Sequence, residues 1–458
     1  MRDSDPNISR RALLLGGLSA ASSLSALGGL GPLQRLARAA EGSVADEHYY
    51  IFCYFNGGWD ILLGLDPRDP TAFHADNIQN TLIYPGYELL EATDGQLVQA
   101  GDITFGPAIG QLAAHADKLS IVRGMSMDTL THSAGMRRFL TGKPPSGLQA
   151  RGSSAATWLA SLLGEGDPIP NLAVRVESYN EDLPSYASGL SVTSVGDLIR
   201  ALQASGKQIT DIERQQIDEL LSQQTHCPGA LVSPFMQNTE VARRRAHEMV
   251  AKQLDSLFNF MDDEWAPLRE LYGIQNAAQA TSSAQAQAAL AAQAIKGGVS
   301  RVVSIEVARG LDTHYDDWLD DQPERQMEGF NVVSSLLTDL ASSQYKGTSD
   351  SWLDHTTIVG FSEFSRTALI NDFTGRDHSL TNACFLAGAG IKGGQVIGRS
   401  SDVGMMPVPL DLVTGADDPA GEIVRPEHII QALFHDVGVT DDPADLRVDP
   451  LMPILKNA

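Results

Sequence analysis

The chain has 458 residues with 57 Asp and Glu against 33 Lys and Arg, a formal net charge of -24. An acidic excess of this size repels phosphate backbones and excludes nucleic acid as a partner, and its spread along the chain reads as a solvated acidic surface. Three cysteines, Cys53, Cys227 and Cys384, allow at most one disulfide and exclude a disulfide framework.

The first predicted element is Ser9-Arg10-Arg11-Ala12-Leu13-Leu14, a twin-arginine pair before an apolar run, which reads as an export signal. Residues 12–33 are broken by Gly16, Gly17, Gly28, Gly29, Gly31 and Pro32, poor material for a spanning helix, and Ala37-Arg38-Ala39 supplies the small residues of a cleavage site. The sequence therefore predicts a signal peptide over 1–39 and a mature chain over 40–458 with no stable membrane span, located in the periplasm or outside the cell. An uncleaved anchor helix is the alternative. Without residues 1–39 the balance becomes 28 basic against 55 acidic residues. The twin-arginine route carries folded proteins, which suits a cysteine-poor chain that folds in a reducing compartment.

His48 to Phe55 is a continuous apolar run rich in aromatics that ends at Asn56-Gly57-Gly58, so it reads as a buried strand entering a tight loop. Runs of the same kind occur at 119–122, 301–307, 356–361 and 383–387, with helix-length stretches between them. The pattern predicts an α/β fold with a central, largely parallel sheet flanked by helices. Cys53 and Cys384 fall inside strands and read as buried thiols, with Cys227 in a loop. Residues 195–296 show helical spacing and read as a helical insertion. Within it the Ala/Gln-rich tract 277–294 reads as helix or, alternatively, as a disordered linker.

Five places put metal-binding or nucleophilic side chains just beyond predicted strands, where open parallel sheets bind ligands. The first is Gly57-Gly58-Trp59-Asp60, with Asp60 aimed at the cleft or serving as a turn residue. In the second, Thr131-His132-Ser133, the hydroxyls of Thr131 and Ser133 are candidate nucleophiles or helix caps. Third comes Asp312-Thr313-His314, where carboxylate and imidazole two apart in extended chain face one side and reach one cation. The neighbouring Asp316, Asp317, Asp320 and Asp321 read as solvated acids. The fourth, Glu363-Phe364-Ser365-Arg366, offers a carboxylate ligand and an oxyanion clamp, or a structural ion pair. The fifth is Gly375-Arg376-Asp377-His378. Imidazole mixed with carboxylate suits zinc, manganese or iron, while carboxylates alone would suit calcium.

On Phe55-Asn56-Gly57-Gly58-Trp59-Asp60, Leu311-Asp312-Thr313-His314, Ser362-Glu363-Phe364-Ser365-Arg366, Asp377-His378 and the Gly388 to Gly398 segment, the chain resembles an exported bacterial family, domain of unknown function 1501. That family is placed within the alkaline phosphatase and sulfatase-like superfamily, and the resemblance covers nearly all of the mature chain. It implies an alkaline-phosphatase-like fold that holds divalent metal at the carboxyl edge of its sheet and hydrolyses phosphate or sulfate esters. By chain order it implies that Asp312, His314 and His378 hold a first metal, that Asp60 and Glu363 serve a second, and that Thr131 or Ser133 is the nucleophile. Phe364 departs from the pattern, since the superfamily commonly has a His there and a phenyl ring cannot ligate. Cys53 and Cys384 are not in the context that sulfatases convert to formylglycine.

The expected function is therefore metal-dependent hydrolysis of a small anionic ester. Arg366, with Arg376 second to it, would neutralise the transition state. A noncatalytic exported binding or assembly protein on the same fold is the alternative. Asp60, Asp312, His314, Glu363 and His378 are expected to converge on one cleft, and a metal shared by His314 and His378 requires their side chains to lie within about 8 Å.

Overall fold

The computed structural model describes residues 47–203 except Leu148, residues 253–457, and isolated positions between them. The predicted signal segment 1–39 and Cys227 lie outside the described residues. In chain order the strands are β1 (Tyr49–Phe55), β2 (Val98–Ala100), β3 (Ile103–Phe105), β4 (Leu119–Ser126), β5 (Asn171–Val174), β6 (Leu190–Val192), β7 (Val302–Ala308), β8 (Thr356–Ser362), β9 (Ser365–Arg366), β10 (His378–Ser379), β11 (Thr381–Gly388) and β12 (Gln395–Ile397). Among the described residues, the α-helices longer than a single turn are α1 (His132–Thr141), α2 (Ala155–Leu163), α3 (Val195–Leu202), α4 (Ala266–Tyr272), α5 (Ala277–Ser282), α6 (Ala284–Lys296), α7 (Asp321–Ser342) and α8 (Pro426–Asp436).

Eight strands form one sheet in the order β12-β4-β11-β8-β1-β7-β5-β6. All its pairings are parallel except those of β11 with β4 and β8. The α/β class and the largely parallel sheet expected from continuous apolar runs are what the chain builds. β1 is buried at every position because it lies between β7 and β8 with helices on both faces. Its alternate side chains go to opposite sides. Ile51, Cys53 and Phe55 join Leu290 of α6 and Phe330, Val333 and Leu337 of α7 in one core. Tyr50, Phe52 and Tyr54 join Phe139 of α1, Leu159 of α2 and Leu433 of α8 in the other.

Between Val195 and Lys296 the described elements are helical. The Ala/Gln tract is helix rather than linker: Ser283 caps α6 by accepting from Ala286 N at 3.1 Å, and Ala286–Ile295 is buried throughout. Small side chains let this helix lie directly on the sheet, where Gln287 accepts the backbone N–H of Glu306 at 3.0 Å. The two short strands β5 and β6, absent from the sequence reading, extend the sheet beyond β7.

The loops after β1, β4, β7 and β8 all leave from the same edge of the sheet, since those strands run the same way. β11 runs against them and so begins at that edge. His378 therefore arrives there on β10, just before an antiparallel strand, and not at the end of a parallel one as the sequence reading assumed.

Candidate metal centre

The loop after β1 makes the centre possible. Gly57 and Gly58 take φ of +117° and +84°, and a side chain on Gly57 would meet Leu311 N at 2.5 Å and Asp312 N at 2.8 Å. One on Gly58 would meet the Phe364 ring at 2.6 Å. Only glycine admits this approach of the β1, β7 and β8 loops.

Asp312, in the loop after β7, is the hub. Its Oδ1 lies 3.0 Å from His314 Nε2 and 3.1 Å from His378 Nε2, and its Oδ2 lies 3.2 Å from His132 Nε2. The ligand atoms of His132, Asp312 and His378 all lie within 4.8 Å of one another. His314 Nε2 and His378 Nε2 are 3.0 Å apart, inside the separation that a shared ion allows.

The other nitrogen of each ring is already engaged. His132 Nδ1 donates to Glu363 Oε1 at 2.8 Å, His314 Nδ1 to Asp377 Oδ1 at 2.9 Å, and His378 Nδ1 to the Leu130 carbonyl at 2.7 Å. Carbonyls and carboxylates only accept, so each Nδ1 carries a proton, and a ring that carries no second proton turns its Nε2 lone pair toward Asp312. Lone pairs converging on a carboxylate repel unless a cation stands among them. Imidazoles oriented by outer carboxylates or carbonyls are the usual surroundings of a metal ion. The donor set therefore fits a divalent ion.

Burial would raise the Asp312 carboxyl, but hydrogen bonds from Arg366 and His378 and the Arg366 charge outweigh it and hold the group well below the usual carboxylate range. For His132, burial disfavours the charged ring, yet the hydrogen bond and charge of Glu363, with Asp312 beyond, raise its pKa above the ordinary value. Burial dominates at His378 and lowers it, against the pull of Asp312 and Leu130. Phe364 is fully buried, with its ring centroid 4.8 Å from that of His132 and 4.2 Å from that of His378, so the phenyl is a platform for two imidazoles.

Of the residues singled out in the sequence, the structure brings Asp312, His314 and His378 into contact. Glu363 stands behind them. It is fully buried, its Oε1 accepts from Gly57 N at 2.9 Å as well as from His132, and its Oε2 accepts from the Ser362 hydroxyl at 3.0 Å. The Tyr54 hydroxyl also bonds it, and burial followed by the Glu363 charge pushes that phenol up. Glu363 thus orients His132 and does not face the shared position.

Asp60 is elsewhere, in a buried ion pair with Arg376 at 3.0 Å, with Trp318 Nε1 donating to the same oxygen at 3.0 Å. Asp60 and Glu363 accordingly do not share a second cation, because each carboxylate is committed to other partners. Nor is Arg366 a free clamp. Its N–H groups go to the Gly58 carbonyl at 2.9 Å, the Gly57 carbonyl, Asp312 Oδ1 at 2.7 Å, the Arg376 carbonyl at 3.3 Å and His314 Nε2 at 3.4 Å. It positions Asp312. Arg376 is likewise fully buried. Thr131 caps the start of α1 without a side-chain cap bond, and both Thr131 and Ser133 are exposed on either side of His132.

His132 is the residue the sequence reading missed. It stands between the hydroxyls of Thr131 and Ser133 at the start of α1, which follows β4, and the same strand-end argument applies to it.

Fold and centre together define a three-layer α/β protein with a histidine-carboxylate cluster at the carboxyl edge of a mostly parallel sheet. The chain belongs to the family described as "Protein of unknown function (DUF1501)", whose model matches residues 49–415. A search of curated proteins returned no match. Among solved structures, the PsFucS1 sulfatase from Pseudoalteromonas sp. is similar at 12% identity and a TM-score of 0.34, over 93% of this chain and 75% of that one. A likeness at that level carries no argument about activity. Among the described residues, no helix is long and apolar enough to cross a membrane.

Proposed function

We propose that the protein is an exported metal-dependent hydrolase of phosphate or related small anionic esters, with one divalent ion held by His132, Asp312, His314 and His378. The observation that carries this reading is the turning of three Nε2 atoms onto one carboxylate while every Nδ1 is spent on an outer partner. Three imidazoles and a carboxylate suit zinc or manganese, and calcium, which prefers oxygen, suits this set less well. A bound ion supplies Lewis acidity toward the ester oxygen and a water of lowered pKa.

The remaining work falls to the chain. Arg366 fixes Asp312, Glu363 and Asp377 fix the ring orientations, and Phe364 excludes water behind His132 and His378. Thr131 and Ser133 offer hydroxyls beside the unpaired N–H groups of the first turn of α1, a place that favours an anionic ester. Arg366 and Arg376 are committed within the protein, so the ester's charge is met by the ion and by this helix start. Export rests on Arg10-Arg11 and the apolar run after them.

The test uses the purified mature chain with p-nitrophenyl phosphate and bis(p-nitrophenyl) phosphate. Turnover that a chelator abolishes and zinc or manganese restores is expected. A loaded centre that turns over neither substrate would overturn the hydrolase reading and leave a binding or assembly protein on the same fold.

A further inference from the structure

Beside the cluster, Tyr315 and Phe373 leave 60% and 65% of their surfaces in solvent. Their ring centroids are 5.5 Å apart at 57°. The pair is held by Asn371, whose side-chain amide donates to the His314 carbonyl at 3.0 Å. Its oxygen accepts from Phe373 N at 2.9 Å and Gly375 N at 3.0 Å. Two large rings are thus fixed in water directly after His314 and just before Asp377.

Their sequence neighbours are acidic, and the flanking Arg325, Arg366 and Arg376 are paired with Asp321, Asp312 and Asp60. Asp316 and Asp317 follow Tyr315, Asp372 precedes Phe373, and no Lys or Arg occurs between Leu311 and Glu324 or between Thr367 and Gly375. A negative field around aromatic faces attracts a cation and repels an anion, and the ring quadrupole adds to that preference. We infer that Tyr315 and Phe373 form a subsite for an alkylammonium group, so that the ester taken at the adjoining centre carries a positively charged organic part. The ester half of this inference rests on the hydrolase reading; the ammonium half stands on binding alone.

The experiment titrates tetramethylammonium, and separately its neutral near-isostere tert-butanol, into the purified mature chain while ring resonances are followed by NMR. Saturable shifts of Tyr315 and Phe373 are expected with the cation, at an affinity about 5-fold or more above that for tert-butanol. Tyr315→Ala and Phe373→Ala should each weaken it about 2- to 6-fold. Equal response to tert-butanol, no saturable response to either probe, or unchanged affinity in both variants would overturn the subsite. So would burial of the two rings between copies of the chain in solution, read from sedimentation and from protection of those resonances. Ammonium binding without hydrolysis of any ester would sink the hydrolase reading and leave the subsite; hydrolysis without ammonium binding would do the reverse.

Discussion

Asp60 and Arg376 meet as a fully buried ion pair, 3.0 Å between Oδ2 and Nε, with the guanidinium 4.7 Å above the Trp318 ring. Arg376 spends its other side-chain donors on the carbonyls of Thr367, Tyr84 and Pro85. Its backbone N–H donates to Thr313 at 3.2 Å and its carbonyl accepts from Arg366. The pair thereby braces the two loops that bring Asp312, His314 and His378 together.

Removing one partner of a buried pair strands the other's charge, which costs about 3–5 kcal/mol. Asp60→Ala should therefore destabilise the chain by about that amount in denaturant unfolding. Ion content per folded chain should stay at the wild-type level. Loss of the ion at unchanged stability would instead make Asp60 a ligand.

In the ion-free protein the stability contributed by His132 should fall as pH rises. His132 has its folded pKa raised above the ordinary 6.5, so its ring holds a proton more often in the folded than in the unfolded chain in the window just above that value. This contribution is complete below 6.5 and disappears as pH climbs through the raised folded pKa. Metal binding has the opposite slope, since protons compete with the ion for Nε2. Melting curves of chelated and zinc-loaded protein should diverge with increasing pH, and the stability difference between chelated wild type and chelated His132→Gln should shrink as pH rises. Parallel curves would show that His132 does not link the two.

Much of the centre was legible because parallel strands deliver their following loops to one edge, which is why Asp312, His314 and Glu363 could be read as neighbours. Two physical details were not. A carboxylate's position says nothing of which way it turns, and Asp60 is carried off by the left-handed turn at Gly57-Gly58 and by Trp59. That indole donates to Asn382 at 2.7 Å and its backbone N–H to Ser362 at 3.2 Å. Strand direction was the other. An apolar run such as Thr381–Gly388 reads the same either way, so the antiparallel β11 emerged only in three dimensions.

The export proposal gives a separate outcome. Changing Arg10 and Arg11 together to Lys should leave full-length precursor in the cytoplasm, seen by fractionation and immunoblotting, because the translocation machinery reads the arginine pair. Normal delivery of that double variant would refute the twin-arginine assignment.

The most direct measurement is the metal content of the purified mature chain after dialysis against zinc or manganese, compared with His314→Ala and His378→Ala. About one ion per wild-type chain is expected, with affinity falling by at least about 10-fold in each variant while unfolding remains cooperative. An equal ion content in all three proteins, or none in the wild type, would contradict a centre built on His314, His378 and Asp312.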